Sequence, residues 1–274
     1  MKKLLTILVL TLTLSSAAFA APEAFRGLKG EIAIAGGTAH IPVMTEAAKR
    51  IAEVAPDVIV TVQGGGSGVG VKQVGEGVVQ IGNTGRALKA EEVEKYGLVT
   101  WPFAIDGVAM AVHPENPIQS LTSEQAKDLW SGKITNWSQV GGPDMEVHLY
   151  GREEGSGTRQ TFDDLVIGKE GEVAPNLNVV ASNGAMKTAI AADKGALGYV
   201  GIGHIDDSIK GLALDGAVPN QDNAASGAYK VTRQLYMNTK GQPEGLTALF
   251  IDYIYSPEGS EIIRGAGYIP LPRP

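Results

Sequence analysis

Gly151-Arg152-Glu153-Glu154-Gly155-Ser156-Gly157-Thr158-Arg159 is the stretch on which the reading of this 274-residue chain turns. A strand-like segment, Met145 to Tyr150, precedes it. After it, Phe162, Leu165 and Val166 recur at helical spacing. A helix start carries unpaired N–H groups and a partial positive charge, so a strand, a hydroxyl-glycine turn and a helix together form an oxyanion cradle. Arg152 adds a planar fork able to hold two oxygens of a tetrahedral anion.

Two more turns have the same build. Val58-Ile59-Val60-Thr61-Val62 reads as a buried strand that enters Gly64-Gly65-Gly66-Ser67-Gly68-Val69-Gly70 and then the helical pattern Val71, Val74, Val78. Nearer the front, Ile32 to Ala35 leads through Gly36-Gly37-Thr38-Ala39 into a helix. Pro42 is tolerated in its first turn, and Met44, Ala47, Ala48, Ile51 and Val54 form its apolar stripe. A glycine-serine turn before a helix is more often an ordinary cap than a ligand site. Three of them, one with an arginine in the loop, point to a bound anion.

Alternation of strand, turn and helix predicts an α/β fold with largely parallel pairing. Further strands are expected at Val99–Phe103, Val108–Val112, Leu197–Val200 and Lys230–Tyr236. Further helices are expected at Ala90–Tyr96, Ser123–Trp130, Gly184–Ala192, Gly245–Tyr255 and Pro257–Gly265. Asn220–Gly227, polar and small throughout, is expected to be a mobile loop. Thirty-six glycines and only 6% aromatics imply many tight turns and close backbone approaches.

Lys2 and Lys3, the apolar run Leu4 to Leu14 and Ala18-Phe19-Ala20 have the form of a cleaved secretory leader over residues 1–20. The run is too short to span a bilayer. The chain has no cysteine, so neither a disulfide nor a lipidated cysteine anchor is chemically available to it. The expected mature protein is free and periplasmic. Its formal charge of −7 becomes more negative once Lys2 and Lys3 are lost, which argues against nucleic acid as a partner. An anion would then be recognised by local groups and not by net charge.

The signatures of catalysis are weak. His40, His113, His148 and His204 are scattered, and neither Ser67 nor Ser156 sits in a G-x-S-x-G elbow. His40 alone lies beside a cradle. The glycine run at 64–70 lacks the lysine of a nucleotide-binding loop, and no metal-ligand spacing is present. Asp163-Asp164 and Asp206-Asp207 read as solvated surface.

With these pieces assembled, the chain resembles the PstS-type periplasmic phosphate-binding proteins, the solute receptors of phosphate ABC transporters. The resemblance spans nearly all of residues 21–274. Its most specific pieces are Gly64–Gln73, Leu129–Gly142, Arg152–Arg159, Gly195–Tyr199 and Ser256–Leu271. It implies a type II periplasmic-binding-protein fold: two α/β lobes, a ligand in the cleft between them, and two hinge crossings near Asp106–Ala111 and Tyr229–Gln234. Lobe I would comprise 21–106 with 234–274, and lobe II 107–233. It further implies a non-catalytic monomer without cofactor or metal, which binds inorganic phosphate and delivers it to membrane permease subunits.

Carried over by position, the site would use Thr38 and the N–H of Ala39, then Ser67, then Arg152, Ser156, Gly157 and Thr158. Glu154 falls where relatives often place an acid paired to the binding arginine; a solvated loop acid is the alternative. The chain departs from the family at Gly85, where some members carry an aspartate that accepts the proton of phosphate. Without it, preference over sulfate needs another acceptor, such as a backbone carbonyl or Glu154. Arg86 is a candidate extra donor, or else a surface arginine at a helix start. The departure keeps open a receptor for another tetrahedral oxyanion: sulfate, molybdate or tungstate. A secreted phosphatase using Ser67 or Ser156, and a sensory or adhesive protein on the same fold, are readings from other classes.

Overall fold

Apolar strands feeding capped helices set the architecture of the computed structural model, which describes residues 22–168 and 171–274. The leader expected over 1–20 lies outside the described residues. β1 (Gly30–Gly36) leads through a short turn into α1 (Ile41–Val54), whose inward stripe is Val43, Met44, Ala47 and Ile51. β2 (Val58–Gly65) runs directly into α2 (Gly66–Gly75), and β3 (Ile81–Thr84) is followed by α3 (Ala90–Tyr96). The long β4 (Leu98–Val112) then carries the chain into a second set of elements. These are β5 (Ser120–Leu121), α4 (Ser123–Trp130), β6 (His148–Arg152), α5 (Gly157–Phe162), β7 (Asn178–Val180), α6 (Asn183–Ala192) and β8 (Ala196–Gly201). After β9 (Lys210–Gly211), β10 (Ala213–Leu214) and α7 (Gln221–Ser226), the chain returns along β11 (Thr232–Lys240). It ends with α8 (Gly245–Ile254), α9 (Pro257–Gly265) and β12 (Ile269–Pro270).

The main sheet runs β2-β1-β3-β11-β4-β8-β6-β7. β1, β2 and β3 are parallel, as are β8, β6 and β7, while β4 and β11 run antiparallel between the two sets. Two cores result. One gathers Ile32, Ile34, Met44, Ile51, Phe103, Leu235 and Phe250. The other gathers Val108, Met110, Trp130, Trp137, Phe162, Leu197 and Tyr199. β4 serves both, with Phe103 and Ala104 in the first and Val108, Met110 and Val112 in the second. Strands followed by helices place their C-terminal ends, and the turns that follow, at the junction of the two cores.

Two expectations need correction. The strands read at Val99–Phe103 and Val108–Val112 are one continuous strand. Pro102 does not break it, because it sits at a bulge: Tyr236 pairs with Pro102 and Leu235 with Ala104, leaving Phe103 over. The freed Phe103 carbonyl accepts from Leu271 N–H at 2.9 Å. The segment Asn220–Gly227, expected to be a loop, contains helix α7. Asn220 caps it by accepting from Asn223 N–H, and Gly227 ends it with a left-handed φ of 74°. A single buried residue, Ala224, gives so short a helix no apolar period to read.

Two imidazoles are buried in this framework. The ring of His40 lies 5.5 Å from that of Phe103, with Nδ1 3.1 Å from the Gly37 carbonyl. Burial first, and then the nearby charge of Arg233, hold His40 down at about 3 and His204 at about 4, against an ordinary 6.5. The unfolded chain therefore takes up protons below 6.5 that the folded chain refuses. The stability involved is complete above 6.5 and is lost as pH falls toward 4 for His204 and 3 for His40. Urea unfolding should show stability falling below pH 6.5 by up to about 1.4 kcal/mol per pH unit for each histidine. His40→Gln should remove part of that slope, and a stability that stays flat down to about pH 5 would contradict the assignment.

Candidate anion-binding site

The three turns singled out in the sequence meet at one place. Thr38 and Ala39 follow β1, and Ser67 lies in the first turn of α2. Gly65 and Gly66 precede Ser67 at φ of 124° and 83°, a backbone that only glycine adopts without strain. Arg152 ends β6, and Ser156 caps α5 by accepting from Arg159 N–H at 3.2 Å. A small cavity of about 10 Å³ is lined by Thr38, Ala39, Ser67, Gly85, Arg152, Ser156, Gly157 and Thr158, together with Gly37, His40, Gly66 and Arg233. This is room for about one water-sized group and lies far below the range of pockets that hold organic ligands.

The hydrogen bonds behind the cavity set the polarity of its wall. The Thr38 hydroxyl oxygen accepts from Asn183 N–H and Nδ2 at 3.2 and 3.0 Å. Ser67 Oγ accepts from Gly85 N–H at 3.0 Å, and Thr158 Oγ1 from Arg233 Nη1, also at 3.0 Å. Ser156 Oγ is occupied by its capping bond. Each hydroxyl thus has its oxygen engaged by a protein donor, which leaves its own hydrogen available to the cavity. The walls come from both cores, and they touch. Gly68 N–H donates to the Gly155 carbonyl at 3.1 Å, and a Cβ on Gly157 would run into Ser67 Oγ.

Arg152 supplies the charge. Its side chain is 1% exposed. Nε donates to Glu153 Oε2 at 3.0 Å and to the Val180 carbonyl at 3.1 Å; Nη2 donates to Glu153 Oε1 at 2.9 Å and to the Ala181 carbonyl at 3.2 Å. Nη1 is buried with no partner. A buried guanidinium nitrogen without an acceptor is costly and calls for an explanation, and an anion in the cavity provides one.

Two expectations fall differently, and a third, Gly85, does not. Glu154 is exposed and does not hold Arg152; Glu153 does, because it is the first residue past the end of β6 and turns back onto the fork. Arg86 does not line the cavity. Its two Nη atoms reach Glu92 at 2.8 and 2.7 Å, tying it to the first turn of α3. Gly85 does line the cavity, and a Cβ there would lie 2.8 Å from Arg233 Nη1, so the space beside it is already filled.

Arg233, Asp106 and Asn183 went unnoticed in the sequence. A signal exists for the first two: Arg233 alternates with buried Val231, Leu235 and Met237, and Asp106 with Ala104 and Val108. A charged residue in the inward set of a strand marks a buried pair. Asn183 offers no such signal. Among the described residues, no group of three His, Asp or Glu side chains is placed to hold a metal ion.

Comparison with known proteins agrees with this architecture. The sequence model of the PBP superfamily domain matches residues 21–258. The phosphate-binding protein PstS of Bacillus subtilis is 36% identical over 245 residues, covering 88% of this chain and 81% of that one. Among solved structures, a Clostridium perfringens ABC-transporter substrate-binding protein with bound phosphate superposes with a TM-score of 0.83 at 34% identity, covering 88% of this chain and all of the other. An ABC-type phosphate transport receptor from Vibrio cholerae gives a TM-score of 0.69 at 35% identity, with 88% and 100% covered. With the sequence model spanning most of its length and a relative 36% identical covered over 81% of its own, the chain belongs to the PBP superfamily, in its PstS-type branch.

Proposed function

We propose that this protein is an extracytoplasmic receptor that binds inorganic phosphate between its two lobes and delivers it to an ABC permease for import. The observation that carries the reading is the unpartnered Nη1 of buried Arg152, facing a small cavity ringed by hydroxyls whose oxygens are occupied from behind. Relatives of the branch are substrate-binding receptors and not enzymes. Thr38, Ala39, Ser67, Arg152, Ser156, Gly157 and Thr158 are the proposed ligand residues. The lobes are proposed to divide as 21–106 with 234–274 and 107–233, a division supported by the two cores and by the passage of β4 and β11 between them. Export through a cleaved leader over residues 1–20, action as a monomer and release to permease subunits complete the proposal. Among the described residues no helix is long and apolar enough to cross a membrane.

Arg152→Ala should weaken phosphate binding by about 2–5 kcal/mol in calorimetry, since it strips a charge-assisted fork from a desolvated anion. Arg152→Lys should restore only part, because an ammonium makes no paired contact. Unchanged affinity in Arg152→Ala would remove the site assignment.

Ser67→Ala should cost about 1.5–3 kcal/mol of binding, the usual worth of a hydrogen bond to a charged group. Ser156→Ala should lose a similar amount and, because Ser156 also caps α5, about 1 kcal/mol of ligand-free stability as well. Thermal melting of the two ligand-free variants separates the roles; a Ser67→Ala protein that melts early yet binds normally would count against direct contact.

Because the ligand groups come from both lobes, phosphate should favour the state in which the walls meet. Small-angle scattering should record a smaller radius of gyration with saturating phosphate than without it. Equal dimensions at calorimetric saturation would exclude clamshell closure.

A further inference from the structure

We propose that Arg233 is a second anion-binding guanidinium of this site and that Asp106 is the residue that positions it. The inference rests on the phosphate-receptor reading above and adds to it the charge state of anion that the site prefers. Arg233 and Asp106 stand directly opposite each other in the register of β11 and β4. Both are buried, the side chains 4% and 0% exposed. Arg233 Nε and Nη2 both donate to Asp106 Oδ2, at 3.0 and 2.7 Å. With two corners of the guanidinium gripped by one oxygen, the third, Nη1, is aimed at the Thr158 hydroxyl and borders the cavity. Asp106 itself does not line the cavity, so the anion meets the positive end of the pair and not the negative one.

The two guanidiniums are not equivalent. Arg152 reaches the cavity from β6, clamped by Glu153, whereas Arg233 reaches it from the strands that join the lobes. An anion touching both lies at the head of two oriented ion pairs, each of which attracts a doubly charged ligand more strongly than a singly charged one. The other charged and titratable groups nearby are Glu153 on Arg152, Arg159 paired with Asp163, the phenols of Tyr229 and Tyr268 beside Asp106, and the imidazoles of His40 and His204. Burial keeps those imidazoles and phenols uncharged near neutral pH and also pushes the Asp106 carboxyl up, so a pH dependence of binding there reports the ligand's ionisation together with that of the Arg233–Asp106 pair. The chemical class assigned to the site is therefore the dianion of a tetrahedral oxyacid, hydrogen phosphate ahead of dihydrogen phosphate.

The test is calorimetric titration with inorganic phosphate at about pH 6 and about pH 8, bracketing the step from monoanion to dianion. Three proteins are compared: wild type, Arg233→Lys, and the double variant Asp106→Asn with Arg233→Gln. The double variant keeps a polar group at each position and strands no buried charge. Wild type should bind more tightly at the higher pH. Arg233→Lys, which cannot hold Asp106 and Thr158 at once, should lose about tenfold or more. The double variant should lose at least as much, and its affinity should change less between the two pH values. A purely structural role would lower affinity, if at all, by the same factor at both pH values. Wild type that fails to bind phosphate would overturn the receptor reading itself. Wild type that binds phosphate, with variants that match it in affinity or keep its full pH dependence, would overturn the role of Arg233 alone. Thermal melting confirms that the double variant is folded, and should Arg233→Lys not fold, the double variant decides.

Discussion

A buried positive charge that is satisfied on all sides but one organises this protein. Arg152 is held by a carboxylate and two backbone carbonyls, so its guanidinium cannot rotate to find a further acceptor. The remaining nitrogen needs an oxygen from outside the chain. Much of the surrounding architecture follows from that need. β6 must end where the arginine points inward, α5 must begin just beyond it, and the opposite core must bring Ser67 and Thr38 to the same few ångströms. Tyr199 braces the strand by accepting from the Arg152 N–H at 3.0 Å, and its ring stacks on Phe162 at a centroid distance of 4.3 Å.

The site reads charge without presenting net charge. Arg152 is paired with Glu153 and Arg233 with Asp106, so the pocket is close to electrically neutral in a protein of formal charge −7. In the proposed site, attraction would come from orientation: hydroxyl hydrogens, helix starts and the heads of two ion pairs turned inward, with the compensating carboxylates behind. Burial pushes the Asp106 carboxyl up against the pull of Arg233. The pair is therefore held by geometry as much as by charge, as expected where two ions leave water together.

How much of this was legible in the sequence depends on the range of the interaction. The three turns were visible because each is local: a glycine that frees the backbone, a hydroxyl that caps or binds, then an apolar stripe. Helices such as Ser123–Trp130 and Pro257–Gly265 were readable end to end because their caps and inward faces are local too. Pairings that depend on register across distant strands were not visible. Asp106 and Arg233 are 127 positions apart and become partners only when β4 and β11 align. The choice between Glu153 and Glu154 turned on where β6 stops, a matter of one residue. The fate of Arg86 was settled by Glu92, itself the N3 acid of α3.

The two central strands have a mechanical consequence. From Lys240 opposite Leu98 to Thr232 opposite Gly107, β11 and β4 form a hydrogen-bonded antiparallel ribbon, and one further bond, Val108 N–H to the Val231 carbonyl, extends it toward the second core. A ribbon of this kind is a flexure: stiff against stretching and in-plane shear, compliant in bending and twist. In the clamshell reading proposed above, the lobes would move apart by bending it without breaking its rungs, and the pieces of the pocket would re-register on each return. Position along the ribbon becomes a lever ratio. In that reading a small rotation near Gly107 would sweep the loop after β6 through a larger arc than the residues beside it. Arg152 would then be the jaw that travels, whereas Arg233, standing opposite Asp106 in the ribbon itself, would be the fixed anvil.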